Sequence, residues 1–390
     1  MTVRGAEITV LGAGVAGLAV ARALALRGAR VTVLEQADAI REVGAGLQIS
    51  PNGARVLEAL GLGEALAAVS MPAQAVQLLN GETGGEVLRL ELARLRPGQG
   101  YHLAHRADLI GLLLEGALGA GVELQLLQRV EAVDLTGARP RLTMATGAVC
   151  EADLLIGADG LHSKLRAALN GETAPFFTNQ IAWRATIPAE PGAEPVAEVH
   201  MGEGRHLVSY PLRGGTLRNI VAVEERRRWV EEGWTLRDDP MEMRLAFERF
   251  SPRVRGWLEQ VPEVWLWGLF RHPVAARWHD SRAVLLGDAA HPTLPFLAQG
   301  ANLALEDAWV LAASLAGQGA AEAGFAAYQK ARRDRTAAVV EAANRSARAY
   351  HLRTPLREVA HLGLRLGGRI APGLALRRFD WIHAHDVTAL

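Results

Sequence analysis

The stretch VLGAGVAGLAVARALALRGARVTVLEQ, residues 10–36, leaves this 390-residue chain little choice about how its fold begins. EITVLG reads as a buried strand, VAGLAVARALALRG carries apolar residues at helical spacing with Gly28 placed to end the helix, and RVTVLE is a second strand. Strand, helix and strand in that order return the chain in its original direction, which requires a parallel sheet. Gly12, Gly14 and Gly17 form GxGxxG at the first turn, with Ala16 among them. The first glycine gives a tight turn, the second lets the backbone approach a pyrophosphate, and the third admits close helix packing. Glu35 ends the next strand at a distance suited to a ribose hydroxyl pair. An adenine dinucleotide is expected, and the motif alone leaves NAD and FAD both open.

The remainder alternates between two textures. AVQLLNGETGGEVLRLEL reads as a β-hairpin, HRADLIGLLLEGALGAG as a helix and EADLLIGADG as a strand and turn. From about 175 to 274 strands dominate (QIAWRATIPA, PVAEVHMG, RHLVSYPL, LRNIVAVEE), followed by helical DPMEMRLAFERF. RAVLLGDAA is again a strand, NLALEDAWVLAASLAG a helix, and an Arg-rich helix runs from about 321 to 350. The expected fold class is α/β: a Rossmann-like domain written in pieces 1–72, 102–174 and 275–345, a β-rich substrate domain from 73–101 and 175–274, and a C-terminal helical tail at 346–390.

The 42 basic and 42 acidic side chains cancel and are scattered, so no footprint for nucleic acid or an anionic membrane is expected. Cys150 is the only cysteine, which excludes an intrachain disulfide and a Cys-rich metal site. No leader or membrane span is read, and a reducing cytoplasm fits. No metal is expected, and small neutral or anionic ligands are the expected partners.

LIGADGLHSKLR places Asp159 and Gly160 at a strand end, with Ser163 and Arg166 following, and AVLLGDAAHPTLPFLAQGANLALEDA places Gly287 and Asp288 likewise. With the glycine motif, these resemble the aromatic-hydroxylating flavoprotein monooxygenases typified by para-hydroxybenzoate hydroxylase, over nearly the whole chain. EQADAIREVGAGLQISPNGARVL, HRADL, AWRATIP and RHLVSYPLRGG are most similar to the branch hydroxylating salicylate, 3-hydroxybenzoate and 6-hydroxynicotinate. The resemblance implies FAD held throughout the cycle, NADH or NADPH as a visiting co-substrate, and O2 used through a flavin hydroperoxide to hydroxylate a small phenolic or heteroaromatic acid. A quinone-pathway or other lipophilic substrate is the alternative, and it would want a docking segment such as the basic, apolar HLGLRLGGRIAPGLALRRF. Its glycines and Pro372 favour a packed or irregular tail.

The same resemblance assigns the ADP half of FAD to the glycines, the ribityl hydroxyls to Asp288, flavin-chain and pyrophosphate contacts to Arg106 and Arg41, and a role with both nucleotides to Asp159, where a plain turn is the other reading. Amides at Gly300, Ala301 and Asn302 open a helix that suits negative charge on a reduced flavin. In RHLVSYP, period two puts His206, Val208 and Tyr210 on one strand face. A phenol becomes a better carbon nucleophile when deprotonated, and the HxxxY spacing resembles the branch's active-site strand, which implies His206 as base and Tyr210 as substrate orienter. By the same resemblance Pro295 and Gln299 lie beside the substrate ring and the reactive flavin edge, and Arg184 is expected as a fork for a substrate carboxylate. His291 is expected to be structural. The state is read as monomer or homodimer.

Overall fold

The first strand of the chain becomes the centre of the first sheet. In the computed structural model, which describes residues 3–40, 45–226 and 236–389, Glu7–Leu11 lies between Leu154–Gly157 and Arg30–Leu34. Ala283–Leu285 and Glu123–Gln125 complete five parallel strands. The inner strands are rich in Val, Ile, Leu and Ala because helices cover the sheet, notably Val15–Ala25, Arg106–Gly119 and Gly300–Gly317, whereas the edge strand Glu123–Gln125 is largely exposed. This is the α/β architecture expected from the opening motif.

Among the described residues the second sheet has eight strands. The hairpin Ala75–Asn80 and Glu86–Glu91 joins Val196–Gly202 in parallel, and Arg205–Leu212, Leu217–Glu225 and Phe176–Pro188 continue it antiparallel. Val264–Arg271 (VWLWGLFR) adds a strand that has no alternation to announce it, and Arg237–Asp238 closes the edge. One face, through Trp183, packs on Phe247, Phe250 and Trp257; the other, through Ala182, Val223 and Leu269, meets Leu294 and Phe296.

The tail is helical and packed on the second sheet. Leu356–Ile370 is helical despite Gly363, Gly367 and Gly368, and Pro372–Arg377 and Asp380–His383 follow. Tertiary packing outweighs the glycine penalty of about 1 kcal/mol each: a Cβ at Gly368 would stand 2.4 Å from Leu88 Cδ1, Arg357 pairs with Glu82 at 2.9 Å, and Arg365 donates to the Glu86 carbonyl. The helix lies on the hairpin and leaves Leu356, Val359, Leu362, Leu366 and Ile370 exposed. Among the described residues no helix is long and apolar enough to cross a membrane.

Candidate active site

Gly12 has φ +94°, and its N–H donates to the Leu34 carbonyl at 2.8 Å. A Cβ there would lie 2.6 Å from Ala158 O, and one at Gly17 only 1.9 Å from Gly12 O. Those two glycines lock strand, turn and helix together. Gly14 differs, since nothing lies within 4 Å of its would-be Cβ, and with Ala16 it lines an open cavity. Glu35 accepts from the N–H groups of Ala13 at 2.8 Å and Ala37 at 2.9 Å. A carboxylate has about four acceptor sites, so capacity remains for ribose hydroxyls.

Across the same cavity stand Asp288, Arg106, Gly300 and Ala301. Burial pushes the Asp288 carboxyl up, opposed by His291 and Arg106. The first N–H groups of Gly300–Gly317 have no intrahelical acceptor and offer a partial positive charge. A dinucleotide cradle at one end and a helix N-terminus at the other fit the two halves of FAD.

The cavity measures about 440 Å³ and continues to the second sheet. Along Arg205–Leu212, His206, Val208 and Tyr210 line it, while Leu207 enters the core on the opposite face and Ser209 Oγ accepts from Arg218 at 3.0 Å. His206 Nδ1 lies 2.7 Å from His351 Nε2, with the Phe296 and Tyr350 rings 5.7 and 5.2 Å away. Burial, reinforced by His351, holds the His206 imidazole well below its usual range, so it is neutral near pH 7. Burial raises the Tyr210 phenol, keeping it a hydrogen-bond donor.

Arg184 lines the same space with its guanidinium 3.7 Å above the Trp267 ring. Its Nε is buried without a hydrogen-bond partner, and burial lowers the group to about 9. A cation left so poorly solvated favours an anionic ligand. Pro295 and Phe296 close the wall beside it.

Some expected residues lie elsewhere. Gln299 is not among the cavity-lining residues: its amide donates to Ser50 Oγ at 3.0 Å and accepts from Asn52 at 3.1 Å. Asn302 is a brace, its side chain accepting from Ser50 N–H and donating to the carbonyls of Gln48 and Ala298, which leaves only its backbone amide for a ligand. Asp159 accepts from Ser163 Oγ at 2.5 Å and Lys164 N–H at 2.8 Å, as a turn carboxylate does, while Ala158 and Gly160 line the cavity. Arg166 donates to the carbonyls of Pro273, Ala289 and Ala290 and straps the two motifs together. His291 is bound to Asp307 at 2.5 Å, as a structural residue. Arg41 lies outside the described residues.

The sequence reading missed His351, Trp267 and the tail residues Phe379 and His383, which complete the cavity or its support. Only Trp267 carried a signal, in the tryptophan pair of WLWG.

The family described as "FAD binding domain" matches residues 5–343. The chain is 38% identical over 365 residues, 90% of its length and 89% of the relative's, to a 3-amino-4-hydroxybenzoate 2-monooxygenase of Streptomyces cremeus. It is 34% identical, across 85% of its length and 86% of the relative's, to 3-hydroxybenzoate 6-hydroxylase 1 of Aquipseudomonas alcaligenes. A solved salicylate hydroxylase substrate complex superposes with a TM-score of 0.81 at 25% identity, covering 99% of this chain and 97% of that one.

Proposed function

The chain belongs to the FAD-binding family whose relatives include monooxygenases of aromatic acids, and from that premise we propose that it hydroxylates a small phenolic or heteroaromatic acid with NAD(P)H and O2. The observation that carries the substrate class is Arg184: a buried cation shares the cavity with His206 and Tyr210. An aromatic acid would bring a carboxylate to the guanidinium fork and a hydroxyl to the imidazole, with apolar walls around the ring.

FAD would be held by Gly12, Gly14, Ala16, Gly17, Glu35, Arg106, Asp288, Pro295 and the amides of 300–302, and when bound it supplies the redox chemistry that activates oxygen. The protein supplies the rest. Val199, Val221, Val223 and Phe296 exclude water from the ring. His206, neutral near pH 7, accepts the hydroxyl proton and makes the ring electron-rich. Tyr210 donates to the oxygen and fixes the ring's angle, which selects the carbon presented for attack.

The test is NADH and NADPH oxidation by the yellow protein against hydroxybenzoates, aminohydroxybenzoates, hydroxynicotinates and quinols, with peroxide measured beside each rate. One aromatic acid accelerating oxidation with little peroxide supports the proposal; acceleration only into peroxide refutes it. A lipophilic substrate is the second reading, favoured by the exposed apolar side chains of Leu356–Ile370 beside Arg365 and Arg369. Sedimentation with anionic vesicles and turnover of a quinol in place of acids would carry that reading. We place the enzyme in the cytoplasm, as a monomer or homodimer.

A further inference from the structure

His206 is not isolated. Its Nδ1 is 2.7 Å from His351 Nε2, and His351 Nδ1 is 2.9 Å from Glu225 Oε1. The two histidines are 2% and 5% exposed, whereas the Glu225 side chain is 45% exposed. The three groups therefore form a file from cavity wall to solvent. Adjacent strands hold two of them, and the third is fixed where the long helix Ala321–Tyr350 ends.

Hydrogen-bond chemistry sets the direction of this file. An ionised carboxylate only accepts, so His351 donates from Nδ1 to Glu225 and carries its lone pair on Nε2. That lone pair takes a hydrogen bond from His206 Nδ1–H. His206 Nε2 is then the acceptor nitrogen, and a surface carboxylate has fixed it there from two residues away.

We propose that His351 and Glu225 form a proton wire, with His206 at its inner end, that carries the substrate's hydroxyl proton to solvent. The inference rests on the reading of His206 as base. When the substrate O–H breaks, an N–H forms at His206 Nε2. The His206 Nδ1–H breaks as His351 Nε2–H forms, and the His351 Nδ1–H breaks as an O–H forms on Glu225, which ionises to water. The reverse sequence returns a proton to the product oxygen and restores both tautomers. No charge stays on the buried rings.

The surroundings favour transit over storage. Facing the file are Gln180, with Nε2 at 3.5 Å from His351 Nδ1; Arg205, paired with Glu224 at 3.5 Å; Tyr350 beside the His206 ring; and the outer pair Arg353 and Glu203. Burial and the Arg205 charge oppose a lasting imidazolium at His351, against the pull of Glu225.

The test uses the FAD-loaded full chain and 3-hydroxy-4-nitrobenzoate, a phenol that absorbs visible light strongly only when ionised. After a pH jump, the bound phenol should ionise about tenfold or more slowly in Glu225→Gln and His351→Gln than in wild type, a share of the effect of a general base. Glu225→Asp should recover most of the rate, and affinity for the probe should change little. Wild-type rates in both Gln variants, with ionisation still lost in His206→Ala, would overturn the wire and leave the base standing. Retained ionisation in His206→Ala would overturn both. A matching loss in Glu225→Asp would mark Glu225 as structural packing and also overturn the wire.

Discussion

Replacing Arg184 by Met should make the protein more stable and less able to bind its substrate. Burial takes the guanidinium from the ordinary arginine range down to about 9. At about 1.4 kcal/mol per tenfold change in proton affinity, the cation is worse off inside by roughly 5 kcal/mol. The Trp267 face beneath it returns about 1–2 kcal/mol. Methionine has similar volume and no charge, so Arg184→Met should gain about 1–3 kcal/mol in the flavin-loaded, substrate-free protein. The folded group binds its proton more weakly than the unfolded one, so the wild-type deficit is complete below about pH 9 and is relieved as pH rises through it. The difference in melting temperature should therefore be largest at neutral pH and shrink above 9. Binding moves the other way. Charge-assisted hydrogen bonds to a carboxylate are worth about 1.5–3 kcal/mol, so 3-hydroxybenzoate should bind roughly 10- to 150-fold more weakly, while phenol, which lacks the carboxylate, should change less than about threefold. Flavin fluorescence titration and thermal melts read both. Equal losses for acid and phenol would refute the carboxylate assignment, and a fall of several degrees in melting temperature would refute the argument from desolvation.

Four further substitutions separate the halves of the site. His206→Ala should keep its flavin and its reduction by NAD(P)H while product formation falls on the order of 10²-fold; in wild type, product formation should hold through pH 6.5 and fall only at lower pH, because burial keeps His206 deprotonated there, and a midpoint at 6.5 would contradict this. Asp288→Ala should be purified largely without flavin, and a full complement by absorbance would remove Asp288 from the cofactor contacts. Gly17→Ala sets a Cβ 1.9 Å from Gly12 O, so flavin content should collapse while Gly14→Ala, unobstructed by protein, folds normally and loses only affinity for FAD. Equal folding and flavin content in Gly17→Ala and wild type would show that the turn can open.

What the sequence made legible follows the range of each interaction. The glycine turn, the parallel strands and the His206, Val208, Tyr210 face are written within a few residues of one another, where a period of two or 3.6 is enough. Gln299 shows the limit. Its position beside the loop was readable, but its partners Ser50 and Asn52 lie about 250 positions earlier, and they decide which way the amide turns. His351 lies 145 residues from His206, at a helix end with no motif. Val264–Arg271 escaped notice because a strand buried on both faces carries no alternation.

The same division has a consequence for specificity. The cofactor end of the cavity is built largely from backbone: a turn in which Gly12 and Gly17 cannot bear a Cβ while Gly14 faces open space, and amides at a helix start, both fixed by local sequence. The proposed substrate end is built from side chains on neighbouring strands, Arg184 paired in register with Val221, His206 with Val223 and Tyr210 with Asn219. A change of side chain there reshapes the pocket without disturbing a ladder hydrogen bond, because the backbone pairing is indifferent to what projects from it. The fold can therefore hold FAD unchanged while the ring it meets is altered by one or two residues. Relatives named for aminohydroxybenzoate and hydroxybenzoate chemistry at similar identity are what such a partition would produce. The side chains on this cavity face, more than overall similarity, are then the features by which the proposed substrate should be sought.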